Sequence, residues 1–253
     1  MNDEFYIGWE DRAAPGVRQT IRRTALALLL AAPLAALALA ASQRMIGSSV
    51  FEWGNLKSFS GVLQATPYPH LIVFRPGNAA AARFSMYYLV APWKFGLNTD
   101  EVAAFDGNIV MLKGTLIYRA DQTMIEVVKN SIQLDPTKSP PADLPAMLPL
   151  GRQTLAGEIV DSKCFLGVMN PGQLTPHRAC AIRCISGGVP PVLLVRQKNG
   201  PPLYLLLVSA DGKPVNRQVL DFVAEQVEIT GEVQRQGDLL ILRADPTTYR
   251  RLK

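Results

Sequence analysis

One order of segments is written twice along this chain of 253 residues, and that repetition restricts its folds more than any other feature. Runs rich in β-branched and aromatic residues fall at 57–64, 70–74, 86–90, 108–118 and 124–128, with a short helical segment at 99–105 between the third and fourth. They recur at 153–160, 192–196, 203–208, 227–234 and 239–243, with 216–226 as the helical segment in the same place. Five short strands with a helix before the fourth is the order of an OB-type barrel. The expected fold class is therefore mainly β, two OB-like small β-barrels in tandem. Local matches support a duplication: Ser60-Gly61-Val62 sits like Ala156-Gly157-Glu158, Tyr87-Tyr88-Leu89-Val90 like Leu205-Leu206-Leu207-Val208, and Gly114 like Gly231. A glycine in mid-strand marks the bulge or bend a small closed barrel needs.

Five prolines fall between Pro136 and Pro149. Proline lacks an amide donor and fixes φ, so 134–150 reads as an extended linker between a first barrel at 51–133 and a second at 151–253. The two repeats differ in one place. From Gly61 to Leu71 is ten residues and from Gly157 to Leu193 is thirty-six, so the second barrel carries an insertion, 161–190, between its first and second strands.

Residues 24–43 are uncharged, dominated by Ala and Leu, with one proline, Pro33. Twenty residues at about 1.5 Å each span roughly 30 Å, the hydrocarbon thickness of a bilayer. One N-terminal transmembrane helix is expected, preceded by a cytoplasmic tail, 1–23. The rival is an export signal cut near Ala38-Leu39-Ala40, but a tail carrying Phe5, Tyr6 and Trp9 is more than a signal needs. Arg12, Arg18, Arg22 and Arg23 precede the span and only Arg44 and Lys57 come closely after it, which places the N-terminus in the cytoplasm. Taken as a bacterial chain, it is expected in the inner membrane as a single-pass protein with its bulk in the periplasm, where thiols tend to be oxidised.

All three cysteines and one of two histidines fall within twenty-one residues of the insertion: Cys164, His177, Cys180 and Cys184. Thr175-Pro176 before His-Arg-Ala-Cys-Ala-Ile-Arg-Cys, and Gly187-Gly188 after it, read as the start and stop of a short helix. His177, Cys180 and Cys184 then share one helical face, and Cys164 comes from the end of the preceding strand. Three soft ligands from a helix and one from a loop make a Cys3His set for zinc, copper or another transition metal. Two readings compete with it. Cys164 paired with Cys180 or Cys184 would be a structural disulfide stapling an insertion too short to own a core. A thiol beside His177 and Arg178 at a helix start would be a redox nucleophile.

The pattern Asp161-Ser-x-Cys164, His177-x2-Cys180-x3-Cys184, Gly187-Gly188 resembles that of small exported bacterial proteins of uncharacterised function, over residues 153–243. The resemblance implies an OB-like barrel bearing this motif and brings no activity with it. The layout of anchor and barrel is also similar to the periplasmic haem chaperone of cytochrome c maturation. That family attaches haem through a histidine near the end of its barrel; no histidine comes after His177, so its haem site is not carried over.

Elsewhere the chain proposes little chemistry. An apolar content of 48% with 19% charged residues excludes a disordered composition. The net charge of +5 is spread thinly, with no run of five Lys/Arg, and the second barrel offers only Phe165, Tyr204, Phe222 and Tyr249 for stacking; no nucleic-acid partner is expected. Nucleophile-elbow, phosphate-loop and His-Glu-x2-His motifs are absent. His70, beside two prolines at a strand start, reads as a surface or edge residue, and Trp53, Trp93 and Phe95 as core or partner contacts. The expected function is a membrane-anchored periplasmic accessory or assembly subunit of a redox or metalloenzyme system, not itself an enzyme, with a protein partner in a membrane complex. Its alternatives are an interaction module with a structural disulfide and a thiol oxidoreductase.

Overall fold

The computed structural model describes residues 13–43, 49–75 and 83–252. The expected tail residues 1–12, with Phe5, Tyr6, Trp9 and Arg12, lie outside these, as does Arg44. The chain divides into two units, 1–47 and 48–253. Helix α1 (Pro15–Gln43) is the described structure of the first unit. It begins within the segment read as a tail, and proline at a helix start leaves only a donor that would be unpaired in any case. Its span over 15–42 is long and apolar enough, by length and composition, to cross a membrane.

The second unit runs β1 (Val50–Phe51), β2 (Lys57–Gln64), β3 (His70–Phe74), β4 (Phe84–Val90), α2 (Thr99–Ala103), β5 (Ile109–Arg119), β6 (Gln122–Val127) and β7 (Gln133–Leu134). It continues with β8 (Met147–Asp161), α3 (Arg178–Ser186), β9 (Pro191–Val195), β10 (Leu203–Val208), β11 (Gln226–Gln236), β12 (Leu239–Arg243) and β13 (Arg250–Arg251). Five strands close each barrel, in the orders β5-β2-β3-β4-β6-β5 and β11-β8-β9-β10-β12-β11. In both, the third and fifth strands pair in parallel and the others antiparallel, as the OB order requires. The strand registers of the two repeats correspond. Gly61 faces Val110 where Gly157 faces Val227, and Val90 faces Glu126 where Val208 faces Arg243. A Cβ on Gly61 would strike the Ile72 carbonyl and one on Gly157 the Leu194 carbonyl, so the bend excludes a side chain at both positions.

Each barrel has its own interior, around Leu63, Leu89 and Val110 in the first and Ile159, Leu205 and Ile229 in the second. A third core joins them. Ile72, Met86 and Tyr88 from the outer face of the first barrel pack into one cluster with Val192, Leu194 and Leu206 from the corresponding strands of the second. Hydrogen bonds cross the same seam: Val215 N–H donates to Tyr68 Oη (3.0 Å), Met86 N–H to Asp238 Oδ1 (3.2 Å), and Gln236 Nε2 to Gln64 Oε1 (3.1 Å). The two barrels do not stand apart: both lie within one compact unit, 48–253. The stretch 134–150 does not stay outside the sheets either, since Leu134 pairs in β7 and β8 begins at Met147. The outer face of the second and third strands, where OB barrels commonly hold oligonucleotides, is in each barrel covered by the other.

Four local expectations change. The helix expected at 216–226 is a single 3-10 turn, Leu220–Phe222, because Ala224 adopts φ +59° and Val223 is extended, bridging Ile159. His70 is buried, 2% exposed, with Nδ1 2.9 Å from the Tyr68 carbonyl and Nε2 2.9 Å from Gln64 Oε1. Trp53 and Trp93 are 77% and 80% exposed, so of the two roles expected for them the core one does not apply. Thr175 does not cap with its side chain; the insertion enters its helix through a 3-10 turn, Thr175–His177, after Leu174 at φ +67°.

Candidate metal centre

Across the first hairpin Val62 faces Ile72, ten positions on, whereas Glu158 faces Leu194, thirty-six positions on; the twenty-six additional residues build the site. The insertion leaves β8 at Asp161, whose side chain ties its two halves together. Asp161 Oδ1 accepts the Cys164 N–H (2.7 Å) and Oδ2 lies 2.9 Å from His177 Nε2. Both carboxylate oxygens are thus used, which a fully buried carboxylate needs. A π turn, Cys164–Val168, sends Phe165 between the barrels, stacked on Tyr204 (5.8 Å) and under the Arg119 guanidinium (4.4 Å). The chain returns through Gln173 and Leu174, anchored on the buried Glu158. Glu158 Oε1 takes the Leu174 N–H, and Oε2 pairs with Arg196 at 2.9 Å. Helix α3 comes next and ends where Gly188, at φ +98°, bonds back to the Ile185 carbonyl (2.9 Å).

This path brings the three cysteines together. Cys164 Sγ is 3.9 Å from Cys180 Sγ and 3.9 Å from Cys184 Sγ, and all three sulfurs lie within 4.8 Å of one another. All three are free thiols. Two thiolates about 2.3 Å from one tetrahedral ion stand about 3.8 Å apart, so the spacing suits a common soft ion. Cys164 and Cys184 are buried and Cys180 is half-buried, which puts the solvent side of the group at Cys180. His177 belongs to an adjoining group with Asp161 and Cys164 rather than to the three-sulfur one. With Nε2 engaged by Asp161, Nδ1 is the nitrogen left for coordination, the arrangement in which a carboxylate orients a metal-binding histidine.

The thiols differ electrostatically. Cys164 is pushed well above the ordinary range because it gives its proton to a hydrogen bond with Cys184 in a buried setting near the Asp161 carboxylate. Cys184 is lowered, chiefly by that bond and with help from the Lys94 charge, against burial.

Two lysines complete the surroundings, and neither spacing nor composition singles them out. Lys163, 1% exposed, extends into the first barrel: its Nζ meets Glu126 Oε2 (2.6 Å) and the carbonyls of Ala91 (2.8 Å) and Trp93 (2.6 Å). Lys94, on that same 91–96 loop, places its Nζ 2.7 Å from Cys180 Sγ. The loop also forms one wall of a cavity of about 680 Å³ whose other walls include Val102, Phe105 and Ile132 of the first barrel. Asp161 stood in the motif; its signal is the Asp-Ser-Lys-Cys turn, in which a carboxylate reaches the amide three residues on. Lys94 and Lys163 gave no such sign because their partners are thirty-seven or more positions away in the chain.

Fold and site together define a class: a two-barrel β protein with an N-terminal helix able to span a membrane and a three-cysteine group that could hold a metal ion. No protein-family model, curated protein or solved structure matches the chain.

Proposed function

We propose that this protein is a membrane-anchored accessory or assembly subunit of a redox or metalloenzyme system, holding a soft metal ion through Cys164, Cys180 and Cys184 with His177 beside them. The observation that carries the metal reading is the sulfur spacing: two 3.9 Å separations about one central cysteine fit thiolates sharing an ion and exceed a disulfide bond nearly twofold. Zinc, copper and other thiophilic metals suit three thiolates. The accessory role rests on the absence of a catalytic motif in the sequence together with the apolar helix. In this reading α1 is the inner-membrane span, the N-terminus is cytoplasmic, and the barrels stand in the periplasm, where a protein partner engages them. The full chain, purified in detergent under reducing conditions, is expected to carry close to one metal ion per chain by elemental analysis and to lose it when Cys164, Cys180 or Cys184 is changed to Ser. Absence of stoichiometric metal from the reduced protein sinks the reading. One free thiol instead of three in the denatured protein favours the structural disulfide.

A further inference from the structure

An exposed lysine is ordinarily a mobile cation, yet the backbone that carries Lys94 is fastened on both sides to residues abutting the cysteines. On its N-terminal side Lys163, the neighbour of Cys164, holds the carbonyls of Ala91 and Trp93. On its C-terminal side Gly96 N–H donates to the Gly187 carbonyl (3.0 Å), three residues beyond Cys184. The approach there is so close that a Cβ on Gly96 would collide with the Gly188 carbonyl and one on Gly187 with that of Lys94. Trp93 is held at φ +64°, a region bulky residues avoid. Such a conformation persists only when its surroundings over-determine it. What this clamped loop delivers is an ammonium 2.7 Å from Cys180, at the solvent side of the sulfur group.

We infer that Lys94 is the outer-sphere cation of the thiolate centre, so that the metal site is assembled from both barrels: the second supplies the sulfurs and the first supplies the charge that offsets them. This inference rests on the metal reading above. Three thiolates around one divalent ion leave a net negative charge, which a cation fixed 2.7 Å from the Cys180 sulfur offsets. Lys94 acts through Cys180 and is a positioning residue rather than a ligand.

The test uses the full chain in detergent, reduced, titrated with Cd(II) against a competing chelator and monitored by the thiolate-to-metal charge-transfer absorbance. Lys94→Met is expected to weaken Cd(II) binding about 10- to 100-fold, the range found when outer-shell partners of metal ligands are removed. Lys94→Arg, which keeps the charge, should stay within a few-fold of the wild type, and so should Trp93→Ala, which removes an exposed side chain but leaves the backbone clamp and the ammonium. Lys94→Met binding as tightly as the wild type overturns the inference while leaving the metal site standing. An equal loss in Trp93→Ala also overturns it, because a neighbouring side chain and not the Lys94 charge would then be responsible. A wild-type chain that takes up no Cd(II) overturns the metal reading and this inference with it.

Discussion

His70 shows how a single residue acquires a role from its surroundings. It is enclosed between the Tyr68 carbonyl and Gln64, and burial lowers its pKa below the ordinary value of 6.5. The folded ring thus holds a proton less tightly than the unfolded one. Between the folded pKa and about 6.5 the unfolded chain binds the extra proton, so the stability His70 contributes is complete above about 6.5 and is lost as pH falls toward the folded pKa. Urea midpoints taken from about pH 7.5 to about pH 5.5 should fall in the wild type. The fall should be shallower in His70→Gln, and equal slopes would show that another group controls it. Nothing in the local sequence announces this burial: two adjacent prolines and a strand start are equally compatible with an exposed edge. The enclosing residue Gln64 faces His70 only through the register of β2 against β3.

At the scale of elements, the strands were legible because their pattern is local. The runs at 57–64, 70–74, 203–208 and 239–243 coincide with observed strands. Strand β11 buries Val227, Ile229 and Val233 on one side, the alternation expected of a wall with one wet face. Strand β10 is instead apolar throughout, Leu203-Tyr-Leu-Leu-Leu-Val208, and nearly all of it is buried. A run without alternation is the mark of a strand covered on both faces, so the shared core had a sequence signal. The helical segment at 216–226 failed because apolar spacing does not report the positive φ of Ala224. Within the insertion, helix α3 and the turn after β8 depend on one another through Asp161. Asp161→Ala leaves the Cys164 N–H and His177 without their acceptor, which should cost on the order of 1–3 kcal/mol. The same change should weaken Cd(II) binding by about 10- to 100-fold if the metal reading holds. Thermal melting and chelator competition measure the two effects, and unchanged values in both would remove Asp161 as the organiser of the site.

At the scale of the whole unit, the core between the barrels decides cooperativity. Leu206 points into it, 1% exposed, while Leu205 and Leu207 fill the second barrel's interior. Truncating a buried leucine typically costs about 2–5 kcal/mol. Leu206→Ala should therefore lower one melting transition for the whole of 48–253 in calorimetry. An early transition of the second barrel alone, with the first unmoved, would mean that the barrels are energetically independent. The outer faces that OB barrels often use for ligands are spent on this contact.

What the sequence determined by itself is what short-range physics controls: strand periodicity, the glycine at each barrel bend, an apolar stretch of bilayer length, and the gathering of three cysteines and a histidine in one insertion. The tertiary structure alone decided which groups meet across the chain. The two barrels were joined by a shared core, His70 was enclosed, His177 was given to Asp161, and Lys94 and Lys163 were brought from opposite barrels to the same seam. The physical reason is range. A strand's pattern is set by neighbours two residues apart, whereas the 2.7 Å contact between Lys94 and Cys180 joins positions eighty-six apart and exists only once both barrels have closed and docked.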